Sequence, residues 1–174
     1  VEAYALDATA GGADMLIAID PGISGALAFF GPADRISVHD MPVRLKQSVS
    51  KVKNEIDPTA LQRLLRERVP ADEKGLVVME SMNAFMGSGE KRVGSMASQA
   101  SLAATKAVIC AVCELSGFDM AFVSPREWQR WAGIKATPSE TTKQQSLRLA
   151  RSLFGMEWLS RAKDDGRADS LLIG

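Results

Sequence analysis

MLIAIDPGISGALAFFGPADRISVHD, running from Met15 to Asp40, decides the fold. Met15–Ile19 is a short apolar run that stops at Asp20, the pattern of a buried strand. PGISG then makes a turn, where Gly22 and Gly25 permit a close approach of backbone to a ligand. Ala26–Phe30 and Arg35–His39 read as two further strands, with GPAD as the hairpin connection. Three consecutive strands this tightly joined predict an antiparallel meander.

Outward from that stretch, Met41–Ile56 is polar and carries Arg44, Lys46, Lys51 and Lys53. It has no apolar period, so an exposed loop is expected. Asp57 before Pro58 is a helix cap with proline at the first helical position. Leu61, Leu64, Leu65 and Val69 line one face of that helix, and Pro70 stops it. Gly75–Met79 is a second buried-strand run, ending at Glu80. SMNAFMGSGEKRVGS follows as a Gly- and Ser-rich loop of about a dozen residues, a length that often marks a functional segment. Met96–Leu115 predicts a long helix with many small residues, and Asp119–Val123 a strand. SPREWQRW predicts a short helix in which at least one of Trp128 and Trp131 packs in the core. Thr142–Phe154 predicts an amphipathic helix, and Asp164 onward a last helix that the chain end is expected to cut short. The order βββ-α-β-α-β-α-α is α/β, with the strands at Met15, Gly75 and Asp119 joined by helical crossovers and therefore parallel.

The 174 residues suit one domain over 15–174, after an Ala/Gly-rich, acidic stretch, 1–14, expected to be a flexible extension. No apolar run approaches the ~18 residues of a membrane span, and the first residues lack the basic start of a signal peptide. The expected location is the cytoplasm, with no membrane partner. Cys110 and Cys113 lie three apart in AVICAVCELSGF with no second pair, so they read as reduced core residues. His39 is the only histidine. Ser-His-Asp chemistry and most histidine metal sites are thereby removed. Any catalyst must work with carboxylates, lysines or metals held by oxygen.

Two acids occupy matching places, Asp20 and Glu80, each ending an apolar strand. In open α/β sheets, ligands gather at the carboxyl ends of the strands. A third cluster, KDDGRADSLLIG, holds Asp164, Asp165 and Asp169, and the last two share a helix face at four apart. Singly, these could be a turn residue, a surface acid and a helix start favoured by the dipole. Jointly, carboxylates drawn that close repel unless a cation lies between them. Three or four oxygen ligands suit Mg²⁺ or Mn²⁺, and two such ions can cleave a phosphodiester.

These segments resemble a known family. IAIDPGISGALAFF resembles the first strand and turn of the RuvC-type Holliday junction resolvases, on the RNase H-like fold. VVMESMNAF resembles their strand-ending glutamate segment, VSPREWQRWAGI their V-x-P-x-x-W stretch, and TTKQQSLRLARSLF the T-K-x-x-S-x-x-x-A helix after it. KDDGRADSLLIG is similar to their final acidic helix, D-x-x-D-A-L. The resemblance runs from about Met15 to Gly174 in the right order. It is greatest to the small resolvase-like endonucleases of bacteriophages, where a D-M-P stretch (Asp40, Met41, Pro42) and an N-x-I-D-P stretch (Asn54 to Pro58) also occur. It implies a mixed five-stranded sheet with helices on both faces. It also implies a homodimer that nicks four-way or branched DNA with Mg²⁺ or Mn²⁺, two ions per site, and no small-molecule cofactor.

By position, Asp20, Glu80 and Asp169 match three catalytic, metal-holding acids. The fourth family position, three before the last acid, is Gly166 here, leaving Asp165 or Asp164. Asp165 is preferred because four apart keeps one helix face. Phe85 matches an aromatic that wedges into the junction centre, where stacking on bases is its use; the alternative is that it folds back on the core. Lys91 and Arg92 in that loop, and Arg44, Lys46, Lys51 and Lys53 in the earlier one, read as phosphate contacts or as solvated loop charges. Lys143 and Lys163 are candidates for a lysine beside the scissile phosphate. Two other classes share parts of the pattern. A non-catalytic junction-binding protein would keep the fold without cleavage. An ATP-using actin-like or sugar-kinase-like protein has a similar D-P-G-x-S-G-A turn, but needs two such domains and a second D-x-G turn, which is missing here.

The charge sums to zero, 21 Lys and Arg against 21 Asp and Glu. Zero argues against a DNA partner until it is divided along the chain. The stretch before Met15 holds three of the acids and no base, and residues 91–174 hold twelve Lys and Arg against eight Asp and Glu. Metal on the acids would leave the cleft region basic.

Overall fold

The computed structural model of the chain describes residues 13–46, 54–81 and 96–174. Most of the expected flexible extension, and also Lys51, Lys53, Phe85, Lys91 and Arg92, lie outside the described residues. The elements are β1 (Met15–Asp20), β2 (Ala26–Gly31), β3 (Arg35–Asp40), β4 (Val43–Leu45), β5 (Asn54–Ile56), α1 (Pro58–Arg68), β6 (Gly75–Glu80), α2 (Met96–Leu115), β7 (Asp119–Val123), α3 (Pro125–Trp131), α4 (Thr142–Phe154) and α5 (Asp165–Ile173). Five strands form one mixed sheet in the order β3-β2-β1-β6-β7. β2 runs antiparallel to both neighbours, whereas β6 is parallel to β1 and β7. The meander and the parallel crossovers therefore match the sequence reading.

Period-two alternation splits the sheet between two cores. Ile17, Ile19, Leu27, Phe29, Val77 and Met79 face α1 and α2, packing on Leu61, Leu65, Ile109 and Cys113. Ala18, Ala28 and Val38 face the other way, onto α4 and α5 through Ala150, Ala168 and Leu171. Small residues on that second face let α5 lie close on β1 and β2. Trp128, Val123 and Ile134 close the same layer beside β7, so helices cover both faces. Cys113 is buried and Cys110 half-buried, both unbridged, as core cysteines should be. Of the two tryptophans, Trp128 is buried and Trp131 is exposed.

Local chemistry accounts for the element ends. The Asp57 carboxylate accepts the N–H groups of Thr59 and Ala60 at the head of α1, with Pro58 in the first turn. Ser124 with Glu127, and Thr141 with Gln144, form reciprocal capping boxes at α3 and α4. The β2–β3 turn places Ala33 and Asp34 at φ 56°, the left-handed geometry of a tight hairpin turn.

One expectation is corrected. Met41–Ile56 is not simply a loop, because β4 and β5 pair antiparallel, Val43 with Ile56 and Leu45 with Asn54. Met41 and Ile56 are buried in the α1–α2 core. Strands of three residues are too short to show alternation, so nothing in the sequence marks them.

The register fixes where chemistry can occur. Asp20 pairs with Ala26, and Ala26 with Asp40, so both acids stand in one row at the same sheet edge. Ile19 pairs with Met79, which brings Glu80 to that edge beside Asp20. No described helix is long and apolar enough to cross a membrane.

Candidate active site

Asp20 and Glu80 follow Ala18 and Val78 by two residues, so alternation points both carboxylates toward the α3–α5 face. Gly25 holds the turn after β1 against Asp20: a Cβ at Gly25 would collide with the Asp20 carbonyl. From the opposite side, α5 presents Asp165 and Asp169. The Glu80 carboxylate accepts the indole N–H of Trp128 at 2.6 Å. Lys143, in the first turn of α4, reaches the Asp165 carboxylate at 3.4 Å. Four acids from two strands and one helix thus meet beside one lysine.

The acids feel both burial and one another. Burial, then the Asp169 and Glu80 charges, push the Asp20 carboxyl from 3.8 up to about 7. Burial pushes Asp169 from 3.8 up to about 6; Ser146 and Lys143 oppose the rise, while Glu80 and Asp165 add to it. Burial raises Glu80 as well, against the Trp128 hydrogen bond. Carboxyls held near neutrality by burial and mutual repulsion are the setting that a divalent cation relieves. The donor set is all hard oxygen, which fits Mg²⁺ or Mn²⁺. Among the described residues, no three acids already stand close enough to enclose an ion. Glu80 is turned onto Trp128 and Asp165 onto Lys143.

The structure separates Asp164 from Asp165. Asp164 is buried and accepts both the backbone N–H and the Nε–H of Arg161, at 2.7 and 2.6 Å. Asp165 acts on the charges of Asp20 and Asp169. Gly166 shows why no side chain stands three residues before Asp169. A Cβ there would lie 2.5 Å from the Ser24 carbonyl oxygen and 3.0 Å from Asp20 Oδ2. At this contact α5 touches the β1 turn.

The remaining candidates divide. Lys143 is brought to the acids. Lys163 is exposed and is not among the charges acting on Asp20 or Asp169. Arg44 pairs with Glu55 across the β4–β5 hairpin at 2.9 Å. With Lys46 it lines a cavity of about 190 Å³ between that hairpin and α2. Sequence reasoning missed Trp128 as the partner of Glu80. It also missed a groove beside Lys143, lined by Arg126, Arg130, Lys135 and Thr142. The signal for the groove is present in REWQRWAGIK, three bases within ten residues on and just after a short helix.

No protein-family model matches the chain, and no curated protein matches it in sequence. Solved structures do match. RuvC of Thermus thermophilus in complex with Holliday junction substrate aligns at a TM-score of 0.51 and 14% identity, over 91% of this chain and 88% of that one. A second Thermus thermophilus RuvC structure aligns at 0.50 and 12%, over 91% of this chain and 92% of that one. Similarity along nearly the whole length of both chains, with the same mixed five-stranded sheet, shows that this chain has the RuvC-like, RNase H-like fold.

Proposed function

We propose that the protein is a divalent-metal-dependent endonuclease that nicks four-way or otherwise branched DNA. The observation that carries this reading is the convergence of Asp20, Glu80, Asp165 and Asp169, with Lys143, at the carboxyl edge of the sheet. The RuvC-like fold supports it, as does the four-way DNA bound by one structural neighbour.

In this reading the four acids hold Mg²⁺ or Mn²⁺, two ions per site. When bound, such ions supply an activated water and charge neutralisation at the phosphate. Glu80, bonded to Trp128, and Asp165, bonded to Lys143, are the two acids whose present partners would compete with the ions. Lys143, beside Asp165, would put a positive charge next to the phosphate and stabilise the charge that develops on it. Trp128 limits how far Glu80 can swing. The groove with Arg126, Arg130 and Lys135 would offer further phosphate contacts to a DNA strand. Arg44, Lys46, Lys163, Lys91 and Arg92 would add phosphate contacts, and Phe85 would stack on bases at the junction centre, the role the family resemblance implies for it. A homodimer would give two nicks per junction. The exposed alanines 100, 103, 104, 107 and 111 on α2 offer a small-residue face for it. Cytoplasmic location follows from the DNA substrate.

The test is a panel of labelled substrates, namely a four-way junction, a flap, a linear duplex and an RNA–DNA hybrid, each with Mg²⁺, Mn²⁺ or EDTA. The reading requires metal-dependent nicking that prefers the junction and falls on the order of 10²-fold or more in Asp20→Asn and Glu80→Gln. Tight junction binding without cleavage under any metal would instead make it a non-catalytic junction-binding protein. ATP hydrolysis without nuclease activity would overturn both.

A further inference from the structure

Asp40 begins the D-M-P stretch, and the acid cluster does not use it. It stands in the same cross-strand row as Asp20, two strands away. Its carboxylate accepts three guanidinium N–H groups: Arg161 Nη1 at 2.8 Å and Nη2 at 2.6 Å, and Arg167 Nε at 2.7 Å. Arg161 also holds the buried Asp164 through Nε, and Arg167 Nη1 donates to the Trp158 carbonyl at 3.1 Å. Arg151 donates to the carbonyls of Leu159 and Arg161, tying the same loop to α4.

Asp164 occupies the cap position of α5, yet its side chain makes no capping hydrogen bond. Both its oxygens go to Arg161. The head of α5 is thus fixed from β3 rather than by its own cap. That head carries Asp165 and Asp169, and its Gly166 touches the Asp20 turn. The network holds two arginines and two aspartates, so its net charge is zero. Asp40→Asn leaves that network one positive charge in excess whereas Asp40→Glu keeps it neutral, so exchange of the α5 amides reads position apart from field.

We propose that Asp40 is a positioning residue: acting through Arg161 and Arg167, it anchors the first turn of α5 and so sets the separation between Asp20 and the pair Asp165 and Asp169. Bidentate guanidinium–carboxylate bonds suit this role because they fix direction as well as distance. The functional consequence rests on the metal-site reading above; the anchoring itself does not.

The test compares Asp40→Asn and Asp40→Glu with Val69→Ala, a buried truncation at the end of α1, on the opposite face of the sheet. All are studied well below their melting temperatures. Two quantities are read: Mn²⁺ affinity by electron paramagnetic resonance, and amide hydrogen exchange in EDTA. Asp40→Asn should weaken Mn²⁺ binding tenfold or more and speed exchange at Ala168 and Asp169 by at least tenfold relative to α1. Asp40→Glu should fall between it and the wild type. Val69→Ala should lower the melting temperature without either local effect. If Asp40→Asn matches Val69→Ala in Mn²⁺ affinity and in α5 exchange, Asp40 is merely structural and the proposal is overturned. If the wild type binds no Mn²⁺, the metal-site reading fails, while the exchange arm still decides whether Asp40 anchors α5.

Discussion

Raising the pH should destabilise the metal-free protein, and the acid cluster sets the size of the effect. Asp20 titrates at about 7 in the fold and near 3.8 unfolded. Between those values the folded state holds a proton that the unfolded state has lost, so stability falls as pH rises through 7. From pH 5 to 8 the loss from Asp20 is about 2.5 kcal/mol. Asp169, at about 6 in the fold, adds about 1.5 kcal/mol on the same basis. The two repel each other, so the contributions overlap and about 4 kcal/mol is the ceiling. Two other groups act outside or against this window. Arg161 and Arg167 hold Asp40 well below the usual carboxylate range, so its stabilisation is lost only in acid. His39, lowered by burial and by Arg68, adds stability as pH climbs through 6.5. From pH 6.5 to 8 about 0.8 kcal/mol is expected from Asp20 alone; His39 opposes the first part of that fall, so the net loss is smaller than this and keeps its sign. Urea unfolding in EDTA at several pH values measures it. Mn²⁺ at pH 8 should restore the loss, and Asp20→Asn should flatten the metal-free slope. A wild-type midpoint that stays level or rises from pH 6.5 to 8, or a slope unchanged in Asp20→Asn, would refute the reasoning.

Three further outcomes follow from single contacts. Placing an acid at the usual family position, Gly166→Asp, should not create a better site: the new side chain meets Ser24 and Asp20, and overpacking of this kind costs about 2 kcal/mol in thermal unfolding. Trp128→Phe removes the donor to the Glu80 carboxylate; about 1–2 kcal/mol of metal-free stability should go with it, seen in urea midpoints. Ala33→Gly should stabilise the protein by up to about 1 kcal/mol, because Ala33 sits at φ 56° in the hairpin turn, and a rise in melting temperature without change in DNA binding would report it.

Much of the candidate site is legible in the sequence. Asp20 and Glu80 each end an apolar strand, and strand ends on one edge of a parallel sheet converge by topology alone. Asp165 and Asp169 share a helix face by spacing. Spacing favours Asp165 over Asp164, and the structure adds that Asp164 is taken up by Arg161, whose other partner, Asp40, lies 121 residues away in the chain. No local pattern carries a contact of that span. Trp128 reads as a core residue, and it is one, but its indole N–H also holds Glu80 across 48 residues. The β4–β5 ladder escaped because three-residue strands have no period to detect. Gly166 looked like a missing acid in sequence and is a helix–turn contact in space.

In the proposed function, four carboxylates act together on a DNA phosphodiester. Single-turnover nicking of a labelled four-way junction in Mg²⁺ or Mn²⁺ tests it most directly, with Asp20→Asn, Glu80→Gln, Asp165→Asn and Asp169→Asn beside the wild type and junction binding measured separately in Ca²⁺. All four variants should lose on the order of 10²-fold or more in rate while binding the junction within a few-fold of the wild type. Wild-type rates in Asp165→Asn and Asp169→Asn would contradict the account, because the α5 acids would then lie beside the chemistry without taking part in it.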